Sequence, residues 1–376
     1  MPSGSAPFIA VNEPLLDGNE KRYLASCIDT GWISSEGPFV QRFEKALAAR
    51  VGRKHGIAVC NGTAALDAAI EALGIGPGDE VIMPAFTIIS CIGQLIRCGA
   101  RPVLVDSDAG TWNMDVAQIE EKITSRTKAI MIVHMYGLPA DVDPVLDLAR
   151  RHGLHVLEDA AEMHGQTYKG RPCGSFGDLG TFSFYPNKLV TTGEGGMIVT
   201  NDDRLAAACC SLRNLCFEPE RRFVHERLGW NLRMTNLQAA LGVAQLERLD
   251  EFTVRKRAMG RRYTELLRDI DGLQLPLART DYAENIYWVY GLVLDDSRGF
   301  DSAEAMRRLA ALGVGCRPFF CPMHQQPVLR SRGLFAGETY PVAERLYRRG
   351  FYIPSGLALS EAQIARVAEA VHEVLE

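Results

Sequence analysis

One lysine in this chain stands where covalent carbonyl chemistry is feasible. From Thr181 to Thr200 the sequence reads TFSFYPNKLVTTGEGGMIVT: an apolar, β-prone run, a polar turn carrying Lys188, a glycine-rich bend from Gly193 to Gly196, and a second apolar run. A lysine at a strand end can be held still and partly desolvated, which suits the attack of an amine on a carbonyl, as Schiff-base chemistry requires. Taken alone, the same lysine is an ordinary solvated turn residue, so its meaning depends on the rest of the chain. In CNGTAALDAAIEALGI, Asn61, Gly62 and Thr63 precede apolar residues at helical spacing, with Thr63 or Asn61 as the cap. Free amides and the positive end of a helix suit a phosphate, although the same residues also make a plain N-cap. In VLEDAAEMHG, Glu158 and Asp159 close an apolar run, where a desolvated carboxylate calls for a cation, unless Asp159 simply caps a helix over AAEMHG.

The elements that must position these residues alternate in type. EVIMP, RPVLVD, KAIMIVHMYG and LHVLEDAA read as strands, separated by helical patterns over Cys91 to Cys98, Val116 to Ile123 and Val142 to His152. Continuous apolar strands between amphipathic helices predict an α/β fold with a mostly parallel sheet covered on both faces. Ligands in such folds lie beyond the carboxyl ends of the strands. Asp106, His134 and Asp159 fall at such ends. Together, a lysine that captures an aldehyde, a carboxylate that pairs with a ring nitrogen and a turn that anchors a phosphate form the set pyridoxal phosphate requires.

Around that unit, Asp17 to Thr30 and Gly37 to Val51 read as packing helices, joined by the polar loop TGWISSEGP, in which Trp32 is a core anchor or a lid residue, the core reading being favoured. Asp203 to Cys216 and Leu237 to Leu267 are helical, the second long enough to connect two domains, and a boundary near Glu251 divides the chain into 1–250 and 251–376. The later part, with YWVYGLVL as a strand, a helix over Ser302 to Leu312, RPFFCPMHQQP broken by Pro318, Pro322 and Pro327, and a helix from Ser360, predicts a small α+β domain.

Length and composition bound the function. At 376 residues the chain exceeds the roughly 250 to 300 at which single cores stop growing. With 23% charged residues, a net charge of -5 and no block of like charge, nucleic acid is excluded as a natural partner. No apolar run approaches the ~20 residues of a membrane span, and MPSGSAPFIAV lacks the pattern of a signal peptide, which predicts a cytoplasmic protein without a membrane partner. Ten scattered cysteines and eight dispersed histidines predict buried free thiols and no metal.

NGTAAL, PAFT, LEDAAE, FSFYPNK, TTGEGGM and GWNLRMTNLQAALG occur in the order found in the DegT/StrS family of nucleotide-sugar aminotransferases, which this chain resembles over nearly its whole length, most closely the perosamine-forming members. The resemblance implies fold-type I architecture, pyridoxal 5'-phosphate as cofactor, glutamate as amino donor and a nucleotide-linked keto sugar as acceptor, with GDP-4-keto-6-deoxy-D-mannose giving GDP-perosamine. Other UDP- or dTDP-linked keto sugars, or a regulatory protein that only binds the cofactor, are the alternatives. By the same resemblance Lys188 would hold the cofactor covalently and Asp159 would pair with its ring nitrogen. Gly62, Thr63 and Ser183 would hold the phosphate, Glu162 would sit beside the ring hydroxyl where most members have glutamine, and Ile88 would cover a ring face where many have an aromatic side chain. Asn231 would reach the phosphate of a neighbouring subunit, which implies a homodimer with shared active sites. Arg233, Arg317 and His324 are candidates for the substrate, and Lys188 in place of the histidine of dehydrating members implies transamination.

Overall fold

In the computed structural model, which describes residues 7–218 and 220–375, the apolar runs assemble into a seven-stranded sheet. Its order is His55–Val59, Gly196–Thr200, Leu179–Ser183, His155–Asp159, Thr127–Val133, Glu80–Pro84, Arg101–Val105. Every neighbouring pair is parallel except the two made by Gly196–Thr200, which runs against both its neighbours. The central strands are buried on both faces, as their uninterrupted Val, Ile and Met content requires. One face carries the helices Gly62–Ala72, Ser90–Arg97 and Asp203–Arg213, and the other carries Pro38–Arg50, Val142–His152 and Asn236–Leu246. The N-terminal stretch read for a signal peptide lies, over residues 1–6, outside the described residues.

A second sheet of four antiparallel strands follows the order Leu273–Gln274, Tyr290–Leu294, Gly350–Ile353, Arg317–Pro318. It packs on the helices Leu249–Leu267, Ser302–Ala311 and Glu361–Leu375 through a core of its own that includes Tyr263, Leu292, Phe351 and Val371. Ile9 joins this core from the other end of the chain, exchanging backbone hydrogen bonds with Gly313 and Gly315.

Four local expectations change. Val116 to Ile123 is not an α-helix but two 3-10 turns, Val116–Gln118 and Glu120–Lys122. The Asp115 carboxylate captures the amide of Ala117 and the amide group of Gln118, and the chain turns about the buried Ile119 before it can continue. The long helix read over Leu237 to Leu267 is broken into Asn236–Leu246 and Leu249–Leu267, where Arg248 reaches Asp17 and Glu251. No helix starts after Asp159, so the alternative that it caps one falls away and the strand-end reading stands. Trp32 is no core anchor: its ring is 50% exposed, and the loop is instead tied down through its carbonyl, which accepts from Asn236 Nδ2 at 2.7 Å. All ten cysteines are free, though only five are buried and Cys210 is exposed. Among the described residues no helix is long and apolar enough to cross a membrane.

Candidate active site

The strand ends and the second sheet enclose a cavity of about 810 Å³. Gly62, Thr63, Ile88, Asp159, Glu162, Ser183, Lys188 and Arg317 all line it, so sequence candidates up to 255 residues apart (62 to 317) share one space.

At one end is the start of the helix Gly62–Ala72. Asn61, extended at φ -167 and ψ 172, is its cap and accepts from Ala64 N at 2.8 Å. That leaves the Gly62 and Thr63 amides without intrahelical acceptors, at the positive end of the helix. The Thr63 hydroxyl meets Ser90 Oγ at 2.9 Å. Gly62 is required by contact: a Cβ there would lie 2.7 Å from Ser183 Cβ. The same holds for Gly196, where a Cβ would be 2.3 Å from the Asn61 carbonyl oxygen. The phosphate-type turn and the lysine-bearing segment are therefore locked together by glycines on each side.

Asp159 is the last residue of its strand, in register with Thr181. One carboxylate oxygen accepts from Ala161 N at 3.0 Å, and the other from Cys91 Sγ at 3.3 Å. Two donors do not exhaust the roughly four acceptor positions of a carboxylate. Burial pushes its pKa up, while the hydrogen bonds from Ala161 N and Cys91 and the charge of Lys188 draw it back. Glu162 accepts from Tyr136 N at 2.6 Å and stands 3.8 Å from Lys188 Nζ. Burial raises its pKa to about 7 against the pull of Lys188. The Lys188 side chain is only 10% exposed; burial lowers the pKa of its amine, and Glu162 and Asp159 oppose that. Its turn is fixed by Lys188 N to Tyr185 O at 2.9 Å and by Val190 N, which donates to His164 Nδ1 at 3.2 Å. His164 lies stacked beside Phe182 and Phe184; burial, then the Lys188 charge, lower its pKa to about 3, so it stays neutral.

Other candidates stand elsewhere. Asp106 accepts from Val342 N and Ala343 N, holding the first turn of the helix Pro341–Arg349. His134 reaches the cavity wall, but its ring nitrogens are committed to Glu158 at 3.0 Å and to Ala140 N at 3.1 Å. Glu158 also accepts from Gly174 N and Phe176 N, so in the buried group of His134, Glu158 and Cys173 both carboxylate oxygens already have donors. Residues 231–233 run extended beside Val59, which sends Leu232 into the cavity and Asn231 and Arg233 away from it. Asn231 is exposed, and Arg233 donates to Asn214 Oδ1 at 2.7 Å beside a separate pocket. His324 is buried behind the wall and paired with Glu344 at 2.9 Å. Ile88, 43% exposed, offers apolar contact without an aromatic ring.

The sequence reading missed Ser90, Cys91, Trp288, Phe320 and Tyr352. Ser90 and Cys91 directly follow PAFTII, the polar step between a strand and a helix, and that position was the available signal. Nothing local marks Trp288, which lies two residues before the strand Tyr290–Leu294 of the second sheet.

The donor set fits pyridoxal phosphate: amides and hydroxyls for a phosphate, a buried carboxylate with acceptor capacity left over, and a desolvated amine. The model of the DegT/DnrJ/EryC1/StrS aminotransferase family matches residues 14–372. The chain is 47% identical to the GDP-perosamine synthase of Caulobacter vibrioides over 98% of this chain and 99% of the relative. It is 41% identical to that of Escherichia coli O157:H7, over 97% and 98%. Among solved structures, DesV of S. venezuelae superposes with a TM-score of 0.89 at 32% identity, covering 99% of each chain. The aminotransferase TlmJ of Streptoalloteichus hindustanus gives 0.90 at 30%, covering 98% of each.

Proposed function

The chain belongs to the DegT/DnrJ/EryC1/StrS aminotransferase family, and from that membership we propose that it moves an amino group from glutamate to a GDP-linked 4-keto-6-deoxyhexose, forming GDP-perosamine. The observation that carries the reading is the meeting of Lys188, Asp159 and the helix start at Gly62 in one cavity. The sugar comes from likeness to the perosamine synthases.

Pyridoxal phosphate, when bound, supplies an aldehyde that accepts the amino group and a ring that takes up the electron pair left when the donor loses its α-proton. The Gly62 and Thr63 amides and the Ser183 hydroxyl would hold its phosphate. Asp159 would keep the proton on the ring nitrogen, since a buried anion favours the neighbouring cation. Glu162 would stand at the ring hydroxyl and Ile88 would offer apolar contact to the ring. Lys188 would be the amine that holds the cofactor and, when free, the group that takes a proton from the substrate and returns it, serving as base and then acid. Arg317 is the guanidinium lining the cavity and suits the donor carboxylate or the diphosphate. Asn231, which faces away from its own cavity, serves the cavity of a second protomer in a homodimer. We place the enzyme in the cytoplasm and divide it into a cofactor domain, 1–250, and a small domain, 251–376.

The test is to incubate the purified protein and glutamate with GDP-, UDP- and dTDP-linked keto sugars and follow products by mass spectrometry. The expected result is an amino sugar from the GDP-linked 4-keto substrate, abolished in Lys188→Ala. Product from UDP- or dTDP-linked sugars alone would replace the substrate assignment. A Lys188→Ala variant at the wild-type rate would overturn the chemistry.

A further inference from the structure

The indole of Trp288 lies against the Lys188 amine, with Nζ 3.7 Å from the ring centroid. No role assigned above uses this ring, and several separate features of the chain converge to hold it there. In front, indole Nε1 donates to the carbonyl of Asn187, the residue before Lys188, at 2.8 Å. Behind, Lys256 on the helix Leu249–Leu267 is 2% exposed and donates to the carbonyls of Trp288, at 2.9 Å, and of Ser355. Beside it, Gly137 at φ 104 lets the Tyr287 and Trp288 amides pass, since a Cβ there would lie 2.6 Å from each nitrogen. Gly260 makes room for the Tyr287 ring, where a Cβ would come within 2.1 Å of Cδ2. Tyr287 itself takes a left-handed φ of 51. A left-handed tyrosine and a lysine buried without a carboxylate partner are both costly, and both serve the placement of residue 288.

We propose that Trp288 is the platform on which the free Lys188 side chain rests, and that Lys256 is a positioning residue that fixes this platform from behind. The proposal deepens the reading of Lys188 as the reacting amine and rests on it. An ammonium is attracted to the face of an aromatic ring and a neutral amine is not, so the ring favours the protonated lysine against the effect of burial. The other titratable groups bearing on the amine are Glu162, Asp159, Cys91 and His164. Trp288 thus opposes, together with the two carboxylates, the loss of the proton that Lys188 must hold when it acts as an acid.

The test reads Lys188 directly, in cofactor-free protein, by competitive labelling with acetic anhydride from neutral to alkaline pH and mass spectrometry of the Lys188 peptide. Trp288→Phe and Trp288→Leu both remove the indole N–H, and only the first keeps an aromatic face. The expected result is a fall in the apparent pKa of Lys188 by roughly 0.4 to 1.5 units in the leucine variant, and by less in the phenylalanine variant. Lys256→Met is expected to lower it in the same direction and to add nothing in the Trp288→Leu background. Lys256→Gln, which keeps two N–H donors, is expected to return it toward the wild-type value. Equal shifts in the phenylalanine and leucine variants, or none, would overturn the platform. A Lys256→Met or Lys256→Gln protein that loses thermal stability while Lys188 titrates as in the wild type would reduce Lys256 to a structural strut. Labelling needs no cofactor or substrate, so its outcome is independent of the amino-transfer assay.

Discussion

Lys256 allows a prediction whose size follows from its surroundings. Its amine is buried, its recorded partners are two carbonyl oxygens, and desolvation alone lowers its pKa from 10.5 to about 7. A neutral amine has two N–H groups, which matches two acceptors. Because the folded-state pKa lies below the unfolded one, the unfolded chain binds more protons between them. The associated stability is therefore fully present above pH 10.5 and is lost as pH falls to about 7. The whole window is worth at most about 5 kcal/mol, at 1.36 kcal/mol per unit. Between about pH 7 and about pH 8.5, before the thiols titrate appreciably, the share is roughly 1.6 kcal/mol. Urea unfolding of the wild type and Lys256→Met across that range measures it, with the pair repeated in a Lys188→Met background so that the shift expected at Lys188 drops out of the comparison. Lys256→Met carries a constant penalty for the two abandoned carbonyls. The prediction concerns only the slope: wild type should gain about 1.6 kcal/mol on the variant as pH rises. A difference that stays flat would mean that the buried amine keeps its proton, and the reasoning would fail.

Two further changes probe the cavity. Gly62→Ala places a methyl 2.7 Å from Ser183 Cβ, and relieving such overpacking at about 1 to 3 kcal/mol should weaken pyridoxal phosphate binding roughly 5- to 140-fold. Absorbance titration of cofactor-stripped protein measures this, and unchanged affinity would remove the helix start from the phosphate site. Arg317→Gln should raise the KM of an anionic substrate roughly tenfold or more while kcat holds, because a charge-assisted hydrogen bond is exchanged for a neutral one. Steady-state kinetics with each substrate varied in turn identifies which anion it meets; a fall in kcat alone would refute a binding role.

The strands and their ends were legible because the central sheet is buried on both faces, so that EVIMP and LHVLED could only be read one way. Asp159, Gly62 and Lys188 were legible because each breaks an apolar pattern with a residue that burial would otherwise disfavour. What escaped the sequence was contact between distant segments. Whether Asn61 or Thr63 caps the helix depends on side-chain direction. Arg233 resembles Arg317 in type, yet the alternation of an extended segment turns it outward, and only the register against Val59 reveals that. Trp32 belongs to a polar loop, and the exposure of its ring depends on where Asn236 holds its carbonyl. Val116 to Ile123 has a helical spacing of apolar residues, but Asp115 caps only Ala117 N and ties down the Gln118 side chain, and eight residues offer too few bonds to sustain an α-helix.

The two buried lysines show why burial alone could not have identified the reacting one. Both amines lie in desolvated surroundings that lower the pKa. Lys256 has only carbonyls as partners, so above about pH 7 its amine is neutral with both hydrogens committed, inert as base and as nucleophile unless those bonds break. Lys188 has Glu162 at 3.8 Å, Asp159 in the same cavity and the Trp288 face at 3.7 Å, all of which favour the charged form that burial resists. Opposed influences of this kind keep both protonation states within reach, which a group that must take a proton and give it back requires. Lys256 reaches Trp288 and Trp288 reaches Lys188, so the lysine held neutral helps set the surroundings of the lysine that must titrate.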